Sequence, residues 1–120
     1  GSVKAPEDFA YAGWFEPGPE PGEAGTAVIA GHVDSRTGPA VFYHLRDLHP
    51  GDTVTVLGAG GEQANYRIDG AEEYSKSAIP PDVYKSSEVP SLRLITCAGV
   101  FDRRTRHYED NLVVYASLIP

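Results

Sequence analysis

The sequence predicts an all-β domain whose strands curl into a closed or partly closed barrel. Glycines and prolines recur at short intervals, and the runs between them are rich in β-branched and aromatic residues. A chain of 120 residues has room for one domain. Because curling a sheet hides the edges that short strands would otherwise expose, a barrel is the architecture expected here.

The runs with strand character are easily delimited. Apolar and polar residues alternate from Thr53 to Leu57, which is typical of a half-buried strand. Gly60 and Gly61 then predict a hairpin turn, so the strands on either side should pair antiparallel. The complete set of predicted strands is 9–15, 26–32, 53–58, 65–74, 92–97 and 112–118.

Helices and loops take up little of the chain. Apolar residues fall at helical spacing within 39–48, and a short helical turn is expected at 81–84. Residues 16–23 contain several prolines, which cannot donate to a ladder, so this segment is expected to be an exposed loop. Gly1 and Ser2 look like the pair that a cleaved purification tag leaves.

Charge and hydropathy exclude two classes of protein. A formal net charge of −7 argues against nucleic-acid binding, which requires a basic surface. The one cluster of cations, Arg103, Arg104 and Arg106, is expected to be a solvated loop or an anion site. The apolar runs are far shorter than the ~20 residues of a membrane helix, so these residues are not expected to cross a membrane.

Cys97 is the first candidate for chemistry. As the one cysteine it cannot form an intrachain disulfide. It closes the run 92–97, and Ala98-Gly99 is expected to break the strand, so the thiol should lie at a strand end, held by a rigid element. Free cysteines also often serve only to pack a core, and the spacing alone does not choose between these roles.

His32 is the matching candidate for a base. It closes the run 26–32 just after Gly31, and two strand ends can meet across a long stretch of sequence. A histidine beside a thiol can take its proton or, as imidazolium, lower its pKa. The alternative is a surface histidine hydrogen-bonded to Asp34.

The remaining polar residues are weaker candidates. His44 and His49 flank the helical stretch, and His107 lies near the arginines. No pair of ligands has the close spacing of a zinc site, so no metal is expected. Acyl transfer also needs a donor for the developing oxyanion, and the turn from Phe101 to Tyr108 could bring an arginine within reach of Cys97.

Together these motifs resemble the signature of the sortases, in particular the class E/F type of high-GC Gram-positive bacteria. The motifs are AGHVDS at 30–35, FYHL at 42–45, LHPGD at 48–52 and LITC at 94–97. They occur in the family's order, and the match as a whole runs from about Gly13 to Leu118.

The resemblance implies a barrel of eight strands, with His32 as the catalytic histidine and Cys97 as the nucleophile that forms an acyl-thioester. It implies cleavage of a Leu-Pro-x-Thr-Gly-like sorting signal of a secreted protein between Thr and Gly, and transfer to an amine of the cell wall. No cofactor is implied. Many sortases carry an arginine directly before the last strand, where this chain has Glu109-Asp110-Asn111. The role is therefore assigned to Arg106, with Arg103 and Arg104 as alternatives.

The resemblance also sets expectations about location. The predicted strands are fewer than eight, and the family's first two would precede Val3. Upstream of them we expect an apolar segment of about 20 residues that anchors the enzyme at the extracellular face of the membrane. The alternatives are a β-barrel cysteine hydrolase that releases a free acid, and a non-catalytic binding module in which Cys97 only packs.

Overall fold

The computed structural model describes residues 13–14, 23, 25–35, 38–57, 61–80, 83, 90–105 and 107–120. A 3-10 helix, Tyr43–Asp47, accompanies eight strands. The strands are β1 (Gly13–Trp14), β2 (Thr26–Ala30), β3 (Asp34–Ser35), β4 (Gly38–Pro39), β5 (Thr53–Leu57), β6 (Gln63–Ser75), β7 (Ser91–Asp102) and β8 (His107–Leu118).

Six of the strands form one curled sheet in the order β1-β2-β7-β8-β6-β5. Its neighbours pair antiparallel except β2 and β7, which run parallel. Strands β3 and β4 form a separate short hairpin between β2 and the 3-10 helix. The predicted all-β class is confirmed, and the sheet has the shape of a half-barrel.

Both faces of the sheet are covered, because successive side chains in a strand point to opposite sides. The first face, which we call the helix face, packs against Leu45 of the 3-10 helix and holds Tyr66, Ile68, Leu92 and Val114. Each of these fully buried side chains stabilises the fold by about 1.5–3 kcal/mol relative to exposure.

The other face, which we call the site face, carries a smaller cluster. Val28, Ile95 and Val113, from three adjacent strands, are buried there. Val83 lies against them and is fully buried, and Ile79 packs at the margin. The segment between β6 and β7 therefore contributes apolar cover to the site face.

Most predicted elements are present with shifted ends. Every predicted run from 26–32 onward contains a strand, and β5 and β6 pair antiparallel as the Gly60-Gly61 turn predicted, although Gly60 itself lies outside the described residues. Of the run 9–15, only Gly13 and Trp14 are described, and they form β1. Of the loop 16–23, only the exposed Glu23 is described.

The helical predictions need correction. The stretch 39–48 forms a 3-10 helix only over Tyr43–Asp47, and Pro39 belongs to β4. The amide of Phe42 donates to the carbonyl of His32 instead of to a preceding turn, so the backbone is committed to the β2 end before the helix begins. In 81–84, Val83 alone is described and has 3-10 geometry. No helix in the described part of the chain is long and apolar enough to cross a membrane.

The strand that contains Cys97 does not end where the sequence predicted. β7 continues through Ala98 to Asp102, paired with β8, and its register shifts between Ala98 and Phe101. Gly99 has φ of 79°, which side-chain-bearing residues rarely adopt. The predicted break at Ala98-Gly99 is therefore a β-bulge, which bends the strand just after Cys97 while the pairing with β8 persists.

Candidate active site

The parallel pairing of β2 with β7 brings the chain that leads to His32 beside the strand of Cys97. The register runs from Thr26 opposite Ser91 to Ala30 opposite Ile95. The next amide, that of Gly31, donates to the carbonyl of Ile95 across 3.1 Å. In the numbering of this ladder His32 corresponds to Cys97, and it lies one residue beyond the last ladder hydrogen bond. The sheet thus brings the residues that precede the two candidates side by side.

The backbone around His32 is fixed by the segment that precedes the 3-10 helix. The His32 carbonyl accepts the Phe42 amide at 2.9 Å, and the Val33 carbonyl accepts the Ala40 amide at 3.1 Å. A Cβ atom at Gly31 would lie 2.9 Å from side-chain atoms of both Val41 and Phe42. Glycine is therefore required at position 31 for this segment to pack beside His32.

Cys97 lies at the border of the site-face cluster. Two residues earlier in β7, Ile95 is buried in that cluster, so Cys97 continues the same face toward the bulge. The cysteine itself is only partly buried. A partly exposed thiol next to an apolar cluster is suited to attack on a bound substrate, whereas a purely packing cysteine is normally buried completely.

A phenol-carboxylate pair connects β8 to the segment after His32. The Tyr108 hydroxyl donates to Asp34 Oδ2 at 2.5 Å. This bond, followed by burial and by the negative charges of Asp34 and the Cys97 thiolate, raises the pKa of Tyr108 to about 12, while Arg46 acts in the opposite direction. Tyr108 is therefore within electrostatic reach of Cys97. No local motif links Tyr108 with Asp34, so sequence reasoning missed this contact.

The candidate arginines are distributed along the hairpin between β7 and β8. Arg103 and Arg104 are exposed in its turn, where the Arg104 amide donates to Asp102 Oδ1 at 2.8 Å. Arg103 follows the last residue of β7, six positions after Cys97 and beyond the bulge. Arg106 lies outside the described residues.

Glu109 and Asp110, which stand where many sortases were expected to carry an arginine, belong to β8. A Cβ atom at Gly99 would lie 2.5 Å from Asp110 Oδ2, so the Asp110 carboxylate fills the space beside the bulge. A hydrogen bond to Asp110, with a smaller effect of burial, raises the pKa of Glu73. Asp110 therefore supports the bulge and contacts β6.

The other histidines are on the surface. His44 pairs with Asp47 at 3.0 Å, and the His49 amide donates to Asp52 at 2.7 Å. His107 is exposed at the first position of β8. Among the residues that the structure describes, no three His, Cys, Asp or Glu side chains are arranged to hold a metal ion.

A protein-family model described as the sortase domain matches residues 1–119. The chain belongs to the sortase family. A comparison with curated protein sequences finds no significant match.

Solved sortase structures share the fold. Sortase A from Corynebacterium diphtheriae, as a lid mutant, superposes with a TM-score of 0.79 at 19% identity, covering 98% of this chain and 61% of that one. Streptococcus agalactiae sortase C1, in complex with MTSET, gives 0.73 at 23% identity, covering 91% and 55%. A Clostridium perfringens sortase D5 transpeptidase gives 0.69 at 26% identity, covering 91% and 62%. This sortase chain thus spans less than two thirds of each of these structures.

Proposed function

We propose that this sortase is a cysteine transpeptidase in which Cys97 attacks a sorting peptide and His32 moves the proton. The observation that supports the proposal is the parallel pairing of β2 with β7, which brings the residues just before His32 beside the strand that carries a partly exposed Cys97. The substrate class is a Leu-Pro-x-Thr-Gly-like signal, cut between Thr and Gly. The AGHVDS and LITC motifs support assignment to class E/F.

The first half of the reaction forms an acyl-enzyme. The Cys97 thiolate bonds to the Thr carbonyl carbon, and the carbonyl electron pair moves to the oxygen. When this intermediate collapses, the bond to the Gly nitrogen breaks and His32 gives that nitrogen a proton. The peptide is then held as a thioester on Cys97.

The second half reverses these roles. An incoming amine bonds to the thioester carbon while His32 accepts a proton from the amine. Collapse expels the Cys97 thiolate and leaves a new peptide bond. The proton count is unchanged over the cycle, so His32 and Cys97 return to their starting forms.

The cellular partners belong to the same proposal. The acyl donors are secreted proteins that carry the sorting signal, and the acceptor is an amine of a peptidoglycan precursor. Since both are found outside the cell, we place the enzyme at the extracellular face of the membrane. Arg106 is the proposed arginine of the site, with Arg103 and Arg104 as alternatives.

The test is incubation with a Leu-Pro-x-Thr-Gly peptide, with and without a glycine oligomer, followed by mass spectrometry. We expect a transpeptidation product that requires the oligomer and is absent with Cys97→Ala. The melting temperature of that variant should stay close to the parent value, because alanine retains the Cβ of a partly exposed residue. Free acid alone would indicate a hydrolase, and an unchanged peptide would contradict enzymatic action on this substrate class.

A further inference from the structure

Asn111 lies directly opposite Cys97 in the ladder of β7 and β8. The pairing around it is regular, with Thr96 opposite Leu112 and Ala98 opposite Asp110, and the register shift begins only beyond Ala98. Side chains directly opposite in an antiparallel pair share a face, with Cβ atoms about 4.5–5.5 Å apart. The amide of Asn111 is thus placed beside the thiol.

The burial pattern agrees with this assignment of faces. Val113, two residues after Asn111 in β8, is buried with Ile95 in the site-face cluster. Tyr74, opposite Asn111 in β6, packs against the same cluster. Asn111 is partly exposed, like Cys97, so both continue this face beyond its apolar part toward solvent.

Within the part of the chain that the structure describes, the hydroxyl groups of Tyr74 and Tyr108 are directed away from Asn111 and Cys97. The Tyr74 hydroxyl lies 2.5 Å from that of Tyr115, four residues beyond Asn111 along β8, so it points along the sheet and away from Cys97. The Tyr108 hydroxyl donates to Asp34. The described arginines of the hairpin turn, Arg103 and Arg104, lie beyond the end of β7 and beyond the bulge.

We propose that the side-chain amide of Asn111 donates a hydrogen bond to the oxyanion formed when Cys97 attacks its substrate. The proposal deepens the proposed function and rests on it. As the sulfur–carbon bond forms, negative charge collects on the former carbonyl oxygen, and the Asn111 N–H stabilises it until collapse expels the leaving group. A neutral amide thus acts at the site where the family pattern has a cation.

The chemistry favours an amide at this position. An asparagine N–H is a neutral donor, so its desolvation costs less free energy than that of a cation. Its hydrogen bond becomes strongest when negative charge develops on the acceptor. Asn111 also stands on the central strand β8, which pairs on both sides, with β7 and β6. A donor held by such a strand is preorganised, as oxyanion stabilisation requires.

The experiment compares two reactions of the same thiol. Acylation of Cys97 by p-nitrophenyl acetate passes through an oxyanion, whereas alkylation by iodoacetamide does not. We expect Asn111→Ala to slow acylation by about 10²-fold, the loss seen when one oxyanion donor is removed. The alkylation rate, corrected for thiolate content by its pH profile, should stay within about twofold of the parent.

Three further variants sharpen the result. Asn111→Asp keeps the shape but removes the donor, so it should lose at least as much acylation if the variant folds like the parent by circular dichroism. Asn65→Ala makes the same replacement on β6 at a position that pairs with Thr55 and should change neither rate. Arg106→Lys tests the competing arginine and should cost less than Asn111→Ala.

Two outcomes would overturn the proposal. One is normal acylation by Asn111→Ala; the other is an equal loss of acylation and alkylation, which would show an effect on the thiol instead of the oxyanion. Because p-nitrophenyl acetate reports on Cys97 without a sorting peptide, the result stands even if the parent enzyme leaves that peptide uncut. In that case the proposed substrate fails while the role of Asn111 is still decided.

Discussion

At the residue scale, the proposed chemistry uses two side chains, those of His32 and Cys97, that are far apart in sequence. The pairing of Ala30 with Ile95, extended by the hydrogen bond from Gly31, brings the residues just before His32 and Cys97 side by side. Neither residue is placed by a local motif alone. The proposed proton transfer between them would depend on this parallel pair for its orientation.

Replacing His32 with alanine is expected to reduce transpeptidation by about 10²–10⁴-fold, the range for loss of a general acid/base group. The measurement is kcat/KM with a sorting peptide and a glycine oligomer. His49→Ala is the matched control, because His49 is exposed beside Asp52 and should be neutral. Near-normal turnover by His32→Ala would remove this residue from the mechanism.

At the element scale, the bulge after Cys97 is the feature that most shapes the site. It lets β7 stay paired with β8 while the strand bends, so Cys97 lies inside a continuous ladder. Asp110 fills the space beside Gly99. The bend and its carboxylate neighbour therefore form one structural unit next to Cys97.

Gly99→Ala is expected to lower the free energy of unfolding by about 1–3 kcal/mol, since the residue has φ of 79° and a Cβ would lie 2.5 Å from Asp110 Oδ2. Chemical denaturation measures this loss. Gly61 has a similar φ of 90° but open space around it, so Gly61→Ala should cost less stability. Gly70 has open space around it and its φ is not positive, so Gly70→Ala should change stability least. Equal effects at all three positions would show that the contact with Asp110 is unimportant.

At the scale of the whole molecule, two apolar clusters on opposite faces of one sheet hold the half-barrel together. The segment after His32 crosses the sheet end and is attached through Asp34 to Tyr108 on β8. This contact bridges elements that are remote in sequence. It therefore couples the geometry of the site to the stability of the fold.

The hydrogen bond from Tyr108 to Asp34 predicts that the protein loses stability at alkaline pH. The pKa of Tyr108 is raised to about 12 in the folded chain, while an unfolded tyrosine titrates near 10. The folded state holds this proton more tightly, so the stabilisation is complete below about pH 10 and is lost as the pH rises toward about 12. Stability should thus fall across that window.

Denaturation of the parent and of Tyr108→Phe at about pH 9 and about pH 11 measures the effect. Between these two pH values the parent should lose more stability than Tyr108→Phe. Because the other tyrosines titrate in both proteins, the difference between the two losses is due to Tyr108. Tyr43→Phe serves as the control, since the Tyr43 ring packs under Arg46. An identical pH dependence for parent and Tyr108→Phe would contradict the assigned bond.

The sequence by itself determined the class of fold and the identity of the candidate nucleophile and base. Alternation and turn residues report local preferences, which is why the β-rich segments were found, and a single cysteine leaves one choice of thiol. The family motifs around His32 and Cys97 are continuous in sequence. Such features need no knowledge of long-range contacts.

The tertiary structure alone decided which residues are neighbours across strands. The parallel pairing of β2 with β7, the position of Asn111 opposite Cys97 and the bond from Tyr108 to Asp34 all join distant segments. The bulge at Gly99 was predicted as a strand end because a glycine marks an irregularity without showing whether the partner strand continues. Pairing energy from β8 settles that question, and it is a property of the folded sheet.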